Sequence, residues 1–294
     1  MTNPDTSIKW TDSYFKSKER TVLTQNEIHI PGIRLFAMHK IHNAIRPLRP
    51  HYHENAFEFT FIDKGCMSFS TDSRDYEVSG GCVFISFPNE THSTNNIPIT
   101  LNEQYWFQLD ISDPENFLYL NTSAAQDYIY SLKNLQHLVT LSDVTQFRSI
   151  IKRAFDLALF GGSHYLIAGY FIVLLQMLID SKNSLHHTYP DIEDAIHFIE
   201  THITEDISLD ALSSRYHLST SHFKQKFRNI VGTSPRNYIN QHKIEYSKPL
   251  LLKGRPITDV AMDLGFNTSS YFSTVFKKYT LLSPREYIKL HQNK

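Results

Sequence analysis

Near the carboxyl end of this 294-residue chain, a short run of side chains has the donor and acceptor types that read base edges. Gln225 can pair bidentately with adenine, and Lys224 can reach guanine or a phosphate. Thr220, Ser221, His222 and Arg228 fall on the outward positions of the same predicted helix. A second set occupies a later helix: Thr268, Ser269, Ser270, Ser273, Thr274 and Lys277. Its short hydroxyls offer phosphate bonds, thymine-methyl contacts or water-mediated reading. Taken singly, these residues could be the solvated faces of ordinary helices. Their context argues otherwise.

That context is a repeat. Residues 227–239 read FRNIVGTSPRNYI and residues 276–288 read FKKYTLLSPREYI, 49 positions apart. A fixed-period echo marks a duplicated supersecondary unit. Each copy is preceded by two short helical patterns around a tight turn. In the first unit Leu209 and Leu212 give one apolar face, Leu218 follows the turn, and Phe223 and Phe227 form an i,i+4 pair. Ile257, Val260, Ala261, Phe266, Phe272 and Phe276 repeat the scheme. Ala261 and Gly265 allow close helix crossing and a left-handed turn, with Ser213 and His217 at the matching places. Ser219 and Asn267 are expected N-caps, and Ser234 and Ser283 cap helices that begin with Pro235 and Pro284. Residues 235–252 read as a connecting helix that Pro249 should kink or shorten.

The tandem arrangement, each unit followed by Phe-x6-Ser-Pro, resembles the AraC/XylS family of bacterial transcription regulators over residues 190–290. The resemblance implies two helix-turn-helix units, with the second helix of each in the major groove of double-stranded promoter DNA. Ser221, Lys224 and Gln225 match base-facing positions of the first reading helix. Ser269, Ser270, Ser273 and Thr274 match those of the second. Thr274 stands where the family often has Arg, and Leu282 where Gly usually precedes Ser-Pro. Activation rather than repression, and RNA polymerase as a partner, are implied by the resemblance alone. Charge points the same way independently. Residues 207–294 carry 14 Lys and Arg against 5 Asp and Glu, a net of +9 in a chain whose total is −1. The rest therefore carries −10, and a basic segment on an acidic body suits phosphate binding confined to one domain.

Residues 20–110 are rich in aromatic and β-branched residues. EFTFID (58–63), MSFSTD (67–72), GCVFISFP (81–88) and YWFQLD (105–110) read as short strands, with turns at Gly65 and at Gly80-Gly81. His51-x-His53-x4-Glu58-x6-Gly65 resembles the first motif of the cupin barrels, and Pro88, His92 and Asn96 resemble part of the second. In metal-binding cupins the positions matching His51, His53, Glu58 and His92 ligate one divalent ion, and imidazole with carboxylate suits Fe, Mn, Ni or Zn. Sensor domains of the AraC type commonly keep this pattern without metal. Neither cofactor nor catalysis is therefore expected. His51, His53, Glu58, His92 and Trp106 are expected instead to line an effector pocket, with Trp106 as a stacking platform for a sugar ring or as plain core. Arg34, Arg46 and Arg49 could bind an anion or simply be surface charge.

From about residue 123 the period becomes helical, with helices over 142–160 and 163–182. The apolar run 165–179 is too short for a bilayer. It is expected in a homodimer interface or in the core. Cys66 and Cys82 form no metal motif and are too few for a disulfide framework. The first ten residues lack a basic-then-apolar signal, so a cytoplasmic protein is expected. Walker loops, nucleophile elbows and dinucleotide fingerprints are absent.

The expected architecture is α+β. Residues 1–184 form a cupin-like antiparallel β-barrel (about 20–115) with a helical dimerisation region (about 123–184). Residues 185–190 are a linker, and 191–294 an all-α domain of two helix-turn-helix units joined by a long helix. The expected function is a ligand-responsive regulator, with a carbohydrate favoured as effector. Two other readings stay open: a metal-dependent cupin enzyme fused to a DNA-binding module, and an effector-free regulator whose first domain only dimerises.

Overall fold

The computed structural model describes residues 16–181 and 190–292. The linker expected at 185–190 lies almost wholly outside these residues, as does the amino-terminal stretch read for a signal. The chain divides into two compact units. One comprises residues 1–41, 47–97 and 102–186; the other comprises 42–46, 98–101 and 187–294.

The first unit is built on an antiparallel sheet. Its strands are β1 (Arg20–Thr24), β2 (Ile33–Ile41), β3 (Ala56–Thr71), β4 (Asp75–Ser79), β5 (Cys82–Ser86), β6 (His92–Ser93), β7 (Asn102–Asp110) and β8 (Leu138–Thr140). The pairing order is β1-β2-β7-β3-β5-β8, with β4 and β6 also on β3. Strand period two sorts the side chains of β3 and β7. Phe57, Phe59, Phe61, Tyr105, Phe107 and Leu109 belong to the main apolar core. Glu58, Thr60, Gln104, Trp106 and Gln108 alternate with them, and these too are buried. The sheet thus covers both faces, one apolar and one rich in polar groups.

Helices cover the apolar face. They are α2 (Thr122–Lys133), α3 (Val144–Leu159) and α4 (His164–Ser181), preceded by the short α1 (Gln25–Ile28). Phe36 packs edge-on against Phe155 and Phe171 at 5.1 and 5.0 Å between centroids, and Phe61 meets Phe147 at 5.0 Å. By length and composition alone, the 18-residue α4 could cross a membrane. That corrects the expectation that its apolar run is too short. Ile167, Phe171, Leu174, Leu175 and Leu178, however, are buried in the core.

Gly65 does not end a strand. β3 runs through it for 16 residues. The register slips between Ile62 and Lys64, and Gly65 takes φ +85°. An extra residue in the ladder bends the strand without terminating it, and glycine tolerates the resulting backbone.

The second unit is helical: α5 (Pro190–Thr201), α6 (Leu209–Arg215), α7 (Thr220–Val231), α8 (Pro235–Leu252), α9 (Ile257–Asp263), α10 (Ser269–Thr280) and α11 (Pro284–Gln292). Each Phe pair centres its own core. Phe223 and Phe227 pack with Ile192, Ile199, Leu212 and Ile239. Phe272 and Phe276 pack with Ile244, Leu251, Val260 and Ala261. The connecting α8 contributes to both. Its end at Leu252 is the expected one, so Pro249 does not shorten it. A proline in the final turn removes only one intrahelical bond.

Two local expectations need correction. The N-cap of α10 is Thr268, whose hydroxyl accepts from the Tyr271 amide at 3.1 Å, not Asn267. The positive-φ residues His217 (φ 54°) and Gly265 (φ 70°) lie 48 apart, whereas the caps Ser219 and Thr268 lie 49 apart. The second turn therefore holds one inserted residue. The left-handed residue ending α10 is Leu281 (φ 71°), the counterpart of Gly232 (φ 76°), and not Leu282.

Candidate nucleic-acid interface and buried histidine cluster

On α7 the inward and outward faces separate cleanly. Phe223 and Phe227 are buried, and Lys226 pairs with Asp191 of α5 at 2.5 Å. Ser221, His222, Lys224, Gln225 and Arg228 are exposed. The side chains of Lys224, Gln225 and Arg228 have no hydrogen bond or ion pair with any other described residue. An amide, an ammonium and a guanidinium on one solvent face are thus available to base edges and phosphates. Thr220 differs from them. Its hydroxyl donates to Asp210 at 2.6 Å and lies 3.3 Å from the Ser213 hydroxyl, so its proton ties α7 to α6.

The equivalent face of α10 is chemically poorer. Ser273 and Thr274 donate to the carbonyls of Ser269 and Ser270 at 2.8 and 3.1 Å, and Thr268 is the cap. Such back-bonding occupies hydroxyl protons that a phosphate, an acceptor, would need. Ser270 and Lys277 are exposed and Ser269 half-buried. The sequence reading missed Tyr271, which is 43% exposed on this helix. Its place next to the buried Phe272 put it within the apolar pattern.

Inside the unit, α8 carries a buried cation. Lys243 is 6% exposed; its Nζ donates to the Glu205 carbonyl at 3.2 Å and lies 6.0 Å from the Phe266 ring centroid. Burial lowers its pKa, partly opposed by Asp206. A cavity of about 300 Å³ adjoins it, lined by Asp206, Arg236, Asn240, Gly265 and Tyr271 among others.

In the sheet unit, His51, His53, Glu58 and His92 come together. His51 and His92 face each other across an antiparallel bridge, each amide donating to the other's carbonyl at 3.1 and 2.9 Å. Their rings lie 4.2 Å apart, with His53 5.0 and 5.3 Å away. Glu58 projects from β3 between them. Its Oε2 is 3.2 Å from His53 Nε2, and its Oε1 is 3.5 Å from His92 Nε2. The latter contact lacks hydrogen-bond geometry, and His92 Nε2 is buried without a hydrogen-bond partner. One ligand atom from each of the four lies within 4.8 Å of all the others.

A fifth residue, Gln108, completes the cluster. It pairs with Glu58 across β3 and β7, donates to Glu58 Oε2 at 3.0 Å, and sits 3.2 Å from His53 Nδ1. The alternation of YWFQLD already put Gln108 on one face with Trp106, but nothing in the sequence paired it with Glu58. Burial and the adjacent His92 depress the His51 pKa to about 4. Burial alone would raise the Glu58 pKa, but His53 and His92 outweigh it and hold it well below the usual carboxylate range.

Trp106 shares the polar face, yet the Arg20 guanidinium lies 4.9 Å over its ring, and it packs with Val22, Leu35 and Ala37. One ring face is therefore already taken. Arg34 pairs with Asp110 at 2.8 Å, a structural ion pair.

Comparison with known proteins bears on the helical unit first. Residues 212–290 match a family model described as a helix-turn-helix domain. An uncharacterized HTH-type transcriptional regulator from Pseudoalteromonas carrageenovora is 33% identical over 96 residues, covering 33% of this chain. The chain spans 57% of that relative's length. The HTH-type transcriptional activator RhaS of Escherichia fergusonii is 24% identical over 274 residues, 87% of this chain and 95% of that one. Among solved structures, ToxT from Vibrio cholerae is 16% identical with a TM-score of 0.33, covering 93% of this chain and 99% of its own.

Proposed function

We propose that the chain is a DNA-binding transcription regulator of the AraC/XylS type, which reads promoter DNA with α7 and α10 in response to a small polar molecule. The observation that carries this reading is the pair of compact helical units, each built on its own buried Phe pair, with Lys224, Gln225 and Arg228 unengaged on the exposed face of the first. Base discrimination belongs mainly to α7. α10, with the hydroxyl protons of Ser273 and Thr274 committed to its own backbone, supplies phosphate anchoring through Lys277 and Ser270. Residues 191–294 form the DNA-binding part and 1–184 the sensing part, joined through 185–190.

The effector belongs on the polar face of the sheet, which in this reading closes into a cupin-like barrel around it. Buried Glu58, Thr60, Gln104 and Gln108 line that face, and Gln104 Oε1 has no hydrogen-bond partner among the described residues. Unpaired buried acceptors favour a donor-rich ligand, and a carbohydrate has the hydroxyls to satisfy them. The ligand acts by binding two arrangements of the protein unequally. Phe160, Tyr165, Leu166 and Val173 are 82, 74, 46 and 43% exposed around α4 and supply a face for a homodimer. Activation, assisted by contact with RNA polymerase in the cytoplasm, agrees with the description of the RhaS relative as an activator.

Selection of bound duplexes from a random library, repeated with and without candidate sugars, tests this reading. The expected result is an enriched motif whose yield changes with one sugar. Failure to enrich any motif would contradict it.

A further inference from the structure

We propose that the cavity between the two helix-turn-helix halves of the helical unit is a binding site for one phosphate group, with Lys243 and Arg236 as its cationic anchors. The site goes beyond the regulatory reading. Use of the phosphate as a signal would rest on that reading, but its binding does not.

Three observations carry the site. First, Lys243 is a buried cation without a counter-ion. It is 6% exposed, its Nζ donates to the Glu205 carbonyl at 3.2 Å, and no carboxylate among the described residues forms an ion pair with it. An ammonium has three donors, and a buried charge is costly until it is paired and hydrogen-bonded. The Phe266 ring, 6.0 Å away, offsets only part of that cost. Asp206 acts on the charge without bonding to it. Second, the donors share one face of α8. Arg236, Asn240 and Lys243 fall at i, i+4 and i+7, a stripe along the helix, and all three line the cavity. Arg236 is exposed, and neither its guanidinium nor the Asn240 amide bonds to any other described residue. Third, both halves supply walls. Asp206 belongs to the turn before α6, Gly265 to the turn before α10, and Tyr271 to α10 itself. The halves meet closely here, since a Cβ on Gly265 would lie 3.9 Å from the Asp206 Cα.

The chemistry of the lining narrows the ligand. Two cations, an amide and the Tyr271 hydroxyl make the cavity rich in donors, and the single carboxylate of Asp206 leaves positive charge in excess. A guanidinium fork beside an ammonium suits the several oxygens of a phosphate. At about 300 Å³ the space is at the small end of ligand pockets. Two sources supply such a group: a free phosphate monoester, or the backbone of a bound duplex.

The test uses full-length protein without DNA, titrated with inorganic phosphate and with glycerol 3-phosphate at physiological ionic strength, where exposed charges are screened. Calorimetry is expected to find one saturable site per chain, with a rise in Tm as ligand is added. Arg236→Ala and Lys243→Met should each weaken binding about 10-fold or more, as loss of a charge-assisted hydrogen bond does. Lys253→Ala, which removes an exposed cation outside the cavity, should leave it unchanged. Arg236 is on the surface, so its variant decides should Lys243→Met not fold. Ethylation interference on a selected duplex separates the sources. A saturable free site weakened in both variants assigns a small molecule. No free binding, together with one ethylated phosphate that blocks the wild-type protein but is tolerated by Arg236→Ala, assigns the duplex backbone. The site is overturned if neither result is obtained, or if phosphate binds undiminished in both variants. A DNA motif with neither result defeats the site alone, and free phosphate binding without a motif defeats the regulatory reading alone.

Discussion

Gln225 leaves α7 as an exposed, unpartnered amide, so its loss should register in base choice before it registers in stability. Gln225→Ala is expected to cost about 1–3 kcal/mol at one base pair and to relax preference there, while other positions keep theirs. Arg228→Ala or Lys277→Ala should instead weaken binding to every duplex and reduce the salt slope by about one. Affinities measured for the selected motif and its single-base variants, at several salt concentrations, separate the two patterns. Backbone strain gives a second residue-scale prediction. His217 and Gly265 hold equivalent left-handed positions, and a Cβ on Gly265 would meet Lys243 Nζ at 3.3 Å. Gly265→Ala should therefore destabilise by about 1–2 kcal/mol, and His217→Gly should stabilise by up to about 1 kcal/mol. Denaturant midpoints of opposite sign are expected; a neutral Gly265→Ala would count against the strain.

Helix packing makes its prediction at the level of elements. Phe227 and Phe276 are wholly buried and each anchors a separate core. Truncation of either to alanine should cost about 3–5 kcal/mol through lost transfer energy and the cavity left behind. Thermal unfolding of each variant measures that cost. These elements were legible in the sequence because helical spacing, a Ser cap and Pro at the first position all agreed. α8 has the bounds read from sequence. The failures were local. Asn267 read as a cap because the 48-residue offset of the turn residues His217 and Gly265 was carried past the inserted residue, beyond which the offset is 49. Gly65 read as a turn because composition does not distinguish a bulge from a chain reversal. Gln108 escaped because its partnership with Glu58 depends on strand register, which pairs residues 50 positions apart. Local pattern carries no such information.

At the scale of the whole chain, the opposed charges of its two parts and the exposed aromatic residues around α4 each have a consequence. If α4 presents the homodimer face, Tyr165→Glu combined with Val173→Glu should shift sedimentation from dimer toward monomer while the fold is kept. An unchanged sedimentation coefficient would argue against that face. The central claim is that tandem helical units set α7 and α10 along one side of a duplex. Two reading helices of this kind should enter the major groove about one helical turn apart, roughly 10 base pairs. Footprinting of the full-length protein on its selected duplex tests this most directly. The account predicts two protected major-groove segments one turn apart on the same face, with the α7 segment lost on Gln225→Ala combined with Lys224→Ala and the other retained. A single protected segment, or uniform protection that the double substitution leaves unchanged, would contradict it.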